Sequence, residues 1–404
     1  MDINNLFIVN LFRDIIHLPV WYLQKKNKRD PKLWIFGSWV GNSYSDNSRI
    51  VYEYVIENYK DIKAVWLTNS PAVYSKLSES GKSVAMINSK KGIDYCKKAG
   101  YAFLTQGLRD VNHWYINGIK QIWLWHGMPL KKVGFDHHMY KNAIKDRIRE
   151  LFPFNNHAKS DNPYFFVSIS DKWNSAFKTA FHINEDKILI SGLPRNDTFF
   201  EKSEESLITN INHSFGNPVK VLYMPTFRDY SQLYGKESFN PFGGFGFNSD
   251  EFRELLEKEN LFFMYKGHYV DLKISKLKQD FGNRFLVLDD SMYNDMYSLI
   301  KDVDILITDY SSVYFDFLLL KKPVILAPFD YKDYIANSRD FYFDYDKTIE
   351  GVRAYNWNEL LQIIRDKKYY FPVNALDTLH LYKDGHSTKR VVETIIKDSA
   401  TINS

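Results

Sequence analysis

Residues 121–132 read Gln121-Ile122-Trp123-Leu124-Trp125-His126-Gly127-Met128-Pro129-Leu130-Lys131-Lys132, an apolar run broken by a histidine, a glycine, a proline and two lysines. The run 121–125 (QIWLW) reads as a buried strand entering a turn. Ligands of open α/β sheets bind at the carboxyl ends of strands. A histidine there is better placed for proton transfer than one inside a core. Gly127 offers no side chain to obstruct a ligand. Taken alone, the segment reads equally as a strand-end histidine bonded into a turn, with Lys131 and Lys132 on a solvated face.

The same short runs recur on both sides. Residues 33–37 (LWIFG), 62–68 (IKAVWLT), 82–87, 101–105, 164–168 and 187–191 read as strands, and 49–59, 71–80 and 90–99 carry helical periodicity. Residues 201–218 are polar and close on Gly-Asn-Pro, the signature of a helix and linker between domains. A second series follows, with strands at 220–224, 261–265, 285–288, 304–308 and, last, 323–327, and helices at 250–259 and 357–369. Strands alternating with helices of about ten residues imply βαβ units and parallel sheets. The fold class is therefore α/β, with two Rossmann-like domains whose parallel sheets face each other across a cleft. The expected divisions are an amphipathic segment 1–30, an N-terminal domain 31–200, a C-terminal domain 201–385 and a terminal helix and tail 386–404.

A chain of 404 residues exceeds the size at which single cores stop growing, which also favours two domains. The net charge of +4 is too small to argue for a nucleic-acid partner. Cys96 is the one cysteine, so no intramolecular disulfide can form, as suits a reducing cytoplasm. The sequence shows no signal peptide and no apolar run long enough to span a bilayer. Residues 6–23 are rich in Leu, Ile, Phe and Trp and precede Lys25, Lys26, Lys28 and Arg29. That pattern fits a helix lying on an anionic membrane surface, or one packed on the protein's own body.

Further segments fall at strand ends. Gly192-Leu193-Pro194-Arg195-Asn196-Asp197 presents an arginine whose planar fork suits phosphate oxygens, or pairs with Asp197 or a helix end. Met224-Pro225-Thr226-Phe227-Arg228-Asp229 offers the Thr226 hydroxyl and backbone amides. Tyr265-Lys266-Gly267-His268 ends its strand as His126 ends its own. In residues 308–317 (TDYSSVYFDF) Ser311 and Ser312 start an apolar helix, whose free N–H groups suit a pyrophosphate, and Asp316 lies one turn inside. Residues 327–344, acidic and aromatic, read as surface loop or acceptor contact. The glycine-rich loop 230–248 reads as a mobile loop near the site. Its Gly-Gly-Phe-Gly lacks the strand-to-helix spacing of a dinucleotide fingerprint. His137 and His138 are adjacent and have no cysteine cluster, so no protein metal site is expected.

These segments in this order resemble the CDP-glycerol glycerophosphotransferase family, the teichoic acid primases and polymerases. The resemblance runs from about residue 30 to 385 and rests on WHGMPLKK with Gly134 and Asp136, GLPRND, MPTFRD, KGH and TDYSSVYFDFLLLKKPVIL. It implies a GT-B fold enclosing CDP-glycerol and attachment to the cytoplasmic face of the membrane. His126 matches the family's general base and His268 a second essential histidine near the pyrophosphate. Gly127, Met128, Pro129, Arg195, Pro225, Thr226, Lys266, Gly267, Ser311, Ser312 and Asp316 fall at positions implied to contact CDP-glycerol. Met128 stands where the family often has threonine, and Lys266-Gly267 where an Arg- or Lys-Met pair is common.

The implied reaction transfers glycerol phosphate from CDP-glycerol to a hydroxyl of a lipid-linked saccharide or glycerol phosphate acceptor and releases CMP. No cofactor is expected. A divalent cation can accompany the donor, but no protein site to hold one is expected. The rival readings are a CDP-ribitol transferase, a GT-B glycosyltransferase using a nucleotide sugar, and an inactive membrane-docked subunit of a polymer-export complex.

Overall fold

A computed structural model of the chain describes residues 3–137, 148, 151–155, 163–202, 205–226, 228, 239–267, 281–293, 295–337 and 340–402. His138, His268 and residues 231–238 of the aromatic loop lie outside them. The chain divides into two units. Unit 1 comprises Met1–His126, Val133–Asp197 and Leu381–Ser404, and unit 2 comprises Gly127–Lys132 and Thr198–His380.

Unit 1 is built on seven parallel strands, β1 (Asp30–Gly37), β2 (Lys63–Thr68), β3 (Val84–Met86), β4 (Ala99–Leu104), β5 (Lys120–Trp123), β6 (Phe165–Ser168) and β7 (Ile188–Ile190), in the order β3-β2-β1-β4-β5-β6-β7. The central strands β1 and β4 are buried along nearly continuous apolar runs, as a sheet covered on both faces requires. Their register sets Trp34 beside Tyr101 and Phe36 beside Phe103, and the last pair stacks at 4.4 Å. Helices α1 (Ile3–Gln24), α2 (Asp46–Asn58), α3 (Pro71–Glu79) and α4 (Lys90–Lys98) come from the first part of the chain. Ser70 and Ser89 cap α3 and α4, and Pro71 starts α3 where its missing N–H costs nothing.

The terminal helix Ser387–Ile402 belongs to unit 1. Val391, Val392 and Ile395 are buried, and the Asp197 carboxylate accepts the Ser387 and Thr388 N–H groups at 2.9 and 2.7 Å. Nothing in the local pattern announces this return, because the partner of Asp197 lies about 190 residues downstream.

Unit 2 has six parallel strands, β8 (Val219–Met224), β9 (Leu261–Tyr265), β10 (Phe285–Val287), β11 (Ile305–Thr308), β12 (Val324–Leu326) and β13 (Val352–Arg353), ordered β10-β9-β8-β11-β12-β13. The two-residue β13 extends the sheet beyond the strand that the sequence pattern ends on; so short a strand leaves no periodicity to read. The described part of the glycine-rich loop is packed into the core rather than mobile, and its Phe239 lies over the Arg228 guanidinium at 4.1 Å. Phe242 is buried 5.2 Å from Trp357, Phe247 packs at 4.9 Å from the same ring, and the Trp357 indole donates to the Pro241 carbonyl at 2.6 Å. These aromatics belong to the core that also holds Phe252, Phe263 and Phe285.

Each sheet reverses its order at one pair of central strands, β1/β4 and β8/β11. The turns after those strands are where a doubly wound sheet binds its ligands.

Candidate functional site

In unit 1 the turns at the reversal point are fixed by one carboxylate. Asp110 is buried; its Oδ1 accepts the Val40 N–H at 2.7 Å, and its Oδ2 accepts those of Thr105, Gln106 and Gly107 at 2.7, 2.6 and 3.3 Å. Val40 follows β1 and Thr105 follows β4, so Asp110 ties the two turns together. Gly37 must be glycine here, since a Cβ would sit 2.0 Å from the Asp110 carbonyl oxygen. In an Asp110→Asn variant an NH2 group would have to face N–H donors whichever way the amide is turned. We expect a loss of about 3 kcal/mol in unfolding free energy, read by urea denaturation; an unchanged midpoint would refute the tie.

Strand β5 ends at Trp123, two residues short of the run 121–125, because the backbone turns at Trp125 with φ of +57°. Left-handed backbone at a bulky residue costs of order 1–3 kcal/mol and persists only where its surroundings hold it. Here Asn47 donates to the Trp125 carbonyl at 2.8 Å, and Arg195 donates to the His126 carbonyl at 2.9 Å. Asn47 also accepts the Arg195 N–H at 2.9 Å, and the Arg195 guanidinium pairs with Asp46 at 3.0 Å, both side chains being buried. Arg195, expected as a phosphate clamp, is thus placed behind the His126 turn with its fork directed at Asp46 and a carbonyl. Asp46 and Asn47 were not read from the sequence. They open α2, and no local signal links them to residues 125, 126 and 195.

His126 itself is half-buried, between Trp39 and Trp125 at ring distances of 5.7 and 4.1 Å. Its Nδ1 lies 3.2 Å from the Thr105 carbonyl. A carbonyl only accepts, so Nδ1 carries the proton and Nε2 keeps the lone pair. Burial lowers the imidazole pKa below the ordinary 6.5, against the opposing pull of Asp46 and the Thr105 carbonyl. Burial thus favours the neutral ring, the state a general base needs.

Residues 127–132 of the same motif are part of unit 2. Gly127 has φ of +138°, Met128 and Pro129 are buried, and Lys132 donates from its backbone to Asp340 at 2.8 Å. The Lys132 ammonium pairs with the Asp340 carboxylate at 3.3 Å on the surface. Lys131 bridges to Phe341 as an isolated β-pair.

At the reversal point of unit 2, Asp309 follows β11 and accepts the N–H groups of Thr226, at 2.8 Å, and Tyr310. Arg228 donates to Asp309 at 2.7 Å and makes a two-pronged contact with Asp330, both bonds at 2.7 Å. All three side chains are buried. Burial alone would lower the Arg228 pKa, but the two carboxylates outweigh it and hold the guanidinium charged. Asp330, read from sequence as surface or acceptor contact, is instead an interior partner of Arg228. The Thr226 hydroxyl is buried without a hydrogen-bond partner among the described residues, beside the half-buried Pro225.

Ser311 accepts the Val313 N–H at 3.4 Å, Ser312 precedes the helix Val313–Leu318, and both are half-buried. Asp316 is buried and receives the Tyr297 hydroxyl at 3.4 Å. Lys266 follows β9, joins the Tyr223 carbonyl through its N–H at 2.9 Å and pairs with Asp290 at 2.6 Å, while a Cβ on Gly267 would meet the Tyr265 ring at 2.9 Å. Pro225, Thr226, Lys266, Gly267, Ser311 and Ser312 thus share the carboxyl-end edge of one sheet. Among the described residues no group of three or more His, Cys, Asp or Glu side chains is placed to hold a metal ion.

Two Rossmann-like units, with a strand-end imidazole in one and a strand-end amide and hydroxyl edge in the other, make a GT-B-like fold. The wall teichoic acid polymerase TagF shares this fold, with a TM-score of 0.75 at 21% identity over all of both chains. The chain belongs to the CDP-Glycerol:Poly(glycerophosphate) glycerophosphotransferase family, matched over residues 20–397. It is 28% identical over 407 residues to the teichoic acid poly(glycerol phosphate) polymerase of Bacillus subtilis, covering 90% of this chain and 48% of that protein. It is also 28% identical over 421 residues to the teichoic acid glycerol-phosphate transferase of Staphylococcus aureus, covering 96% of this chain and all of that protein. The chain therefore spans about half the length of the first relative and the full length of the second.

Proposed function

We propose that the chain transfers glycerol phosphate from CDP-glycerol to a hydroxyl of a lipid-linked acceptor, releasing CMP, in the synthesis of teichoic acid or a related surface polymer. The observation that carries this reading is the strand-end His126 imidazole, its Nδ1 against the Thr105 carbonyl, on a turn held by Asn47 and Arg195. In this reading His126 deprotonates the acceptor hydroxyl, and Arg195 positions the turn. The phosphoryl centre is attacked in line, so alignment matters more than covalent chemistry. Thr226, Lys266, Ser311 and Ser312, with Pro225 and Asp316, form the donor side, together with Gly127, Met128 and Pro129 of the same unit. His268 is assigned, on its sequence position alone, to the charge that develops on the donor's pyrophosphate linkage as CMP leaves.

Incubating the purified chain and a lipid-linked acceptor with CDP-glycerol, CDP-ribitol and UDP-sugars tests the reading. CMP release with CDP-glycerol is the expected result. CMP from CDP-ribitol alone, UDP release, or donor binding without turnover would each replace it with one of the rivals.

We also propose that α1 docks the chain on the cytoplasmic face of an anionic membrane. No helix among the described residues is long and apolar enough to cross one. Along α1, Ile8, Phe12, Ile15, Ile16 and Leu23 are more than half exposed, and Lys25, Lys26 and Lys28 follow on the surface. Arg29 does not join that cluster; it donates into the body at the carbonyls of Cys96 and Asn117. Replacing Phe12 and Ile16 by aspartate is expected to weaken sedimentation with phosphatidylglycerol vesicles by at least about tenfold. Unchanged binding would refute the docking face.

A further inference from the structure

Unit 1 holds a second concavity besides the His126 turn. A pocket of about 440 Å³ lies between α1 and the turns that follow β1, β2, β3 and β4. That volume falls within the ~300–1,000 Å³ typical of small-molecule sites.

The two sides of α1 differ in chemistry. Asn10, Arg13, Asp14 and His17, spaced one helical turn apart, line the pocket. Ile8, Phe12, Ile15 and Ile16 point away from the protein. A helix packed only for stability in water would carry the opposite arrangement.

The pocket wall suits a ligand that is both anionic and rich in hydroxyls. Arg13 and Arg109 bring two guanidinium groups against the one carboxylate of Asp14, which the Trp114 indole meets at 3.3 Å. Asn69, Asn88 and Asn112 add amides that both donate and accept. Asn112 is 2% exposed and gives its amide hydrogen to Asn88 at 3.1 Å, while its Oδ1 has no partner among the described residues. Leaving such an acceptor buried and unpaired is unfavourable, and a ligand hydroxyl would satisfy it. Trp114, stacked on His17 at 3.9 Å, supplies a flat aromatic wall of the kind a sugar ring packs on.

The pocket adjoins the reacting group. Val40 lines it, and the ring of the preceding residue, Trp39, lies 5.7 Å from that of His126.

We infer that this pocket seats the head group of the acceptor, a glycerol- or sugar-phosphate carried on a lipid, with its apolar chain leaving along the exposed face of α1. The inference rests on the proposed transfer reaction and adds to it the place where the acceptor is held. The guanidinium groups take the phosphate and the asparagines the hydroxyls, and the hydroxyl that is to react reaches past Trp39 to the imidazole. Phosphatidic acid, a bulk anionic phospholipid, shares the phosphate but has no head-group hydroxyls.

Two variants test the site without touching the His126 turn. Asn88→Asp keeps the oxygen that Asn112 donates to and adds a negative charge. Arg13→Gln removes an exposed cation. Calorimetry on the full chain would use a water-soluble disaccharide bearing glycerol 3-phosphate, CDP-glycerol, and phosphatidic acid vesicles as separate probes. Both variants are expected to bind the disaccharide at least tenfold more weakly and CDP-glycerol within twofold of the unsubstituted chain. Equal disaccharide affinity in both variants, or none in the unsubstituted chain, overturns the inference. Loss of vesicle binding with unchanged disaccharide binding also overturns it, by making the pocket a bulk-lipid site. Variant-sensitive disaccharide binding without CMP release from CDP-glycerol would instead refute the transfer reaction and leave the pocket as a binding site.

Discussion

His126→Ala is expected to lower kcat by about 10²- to 10⁴-fold, the usual contribution of a positioned general base, with CDP-glycerol affinity nearly unchanged. The imidazole sits in unit 1 on a turn whose carbonyls, not its ring, receive Asn47 and Arg195. Removing the ring therefore leaves the turn's supports in place. Single-turnover rates and donor titration separate the two effects, and a loss of donor affinity as large as the loss of rate would sink the assignment. The pH profile of the unsubstituted chain gives a second check. A base must be unprotonated, and burial lowers the His126 pKa below 6.5, so activity should hold through neutrality and fall only as pH drops through the lowered value. Asp46→Asn removes a charge that raises that pKa, and should move the acidic limb to still lower pH. A limb at or above 6.5 would point to another group.

Arg228→Met carries the largest expected cost in stability. It would leave Asp309 and Asp330 buried, close together and without their cation. Breaking a buried pair by removing one partner typically costs about 3–5 kcal/mol, on the order of 10 °C in Tm for a domain of this size. The Thr226 turn should loosen as well, because Arg228 donates to its carbonyl at 2.5 Å and Asp309 holds its N–H. Differential scanning calorimetry reads the first effect and donor titration the second. A variant that melts with the unsubstituted chain would refute the cost assigned to the two uncompensated carboxylates.

The strand-end residues were legible because each stands where an apolar run breaks, at Trp125-His126, Met224-Pro225 and Thr308-Asp309. The residues that hold them were not. Asp46 meets Arg195 across 149 positions, Asn47 meets Trp125 across 78, and Arg228 meets Asp330 across 102. Asp110 looks like any acidic turn residue until β1 and β4 lie side by side. For the same reason Arg195 reads as an exposed clamp in its Gly-Leu-Pro-Arg turn, and only the neighbouring α2 turns it inward. The pocket under α1 had no signal at all, since its wall is gathered from turns scattered over more than a hundred residues.

What the chain's own pattern determined was the set of elements and their kind. Apolar periodicity and turn residues act over a few positions, so they specify parallel α/β units, the strand-end histidine and the two-faced first helix. The strand order, the inward pairing of Arg195, the burial of Arg228 between two aspartates and the return of the last helix to unit 1 were decided only in three dimensions. They depend on which buried charges and backbone groups find partners when distant segments pack, and a buried polar group is satisfied by geometry that no local stretch of sequence contains.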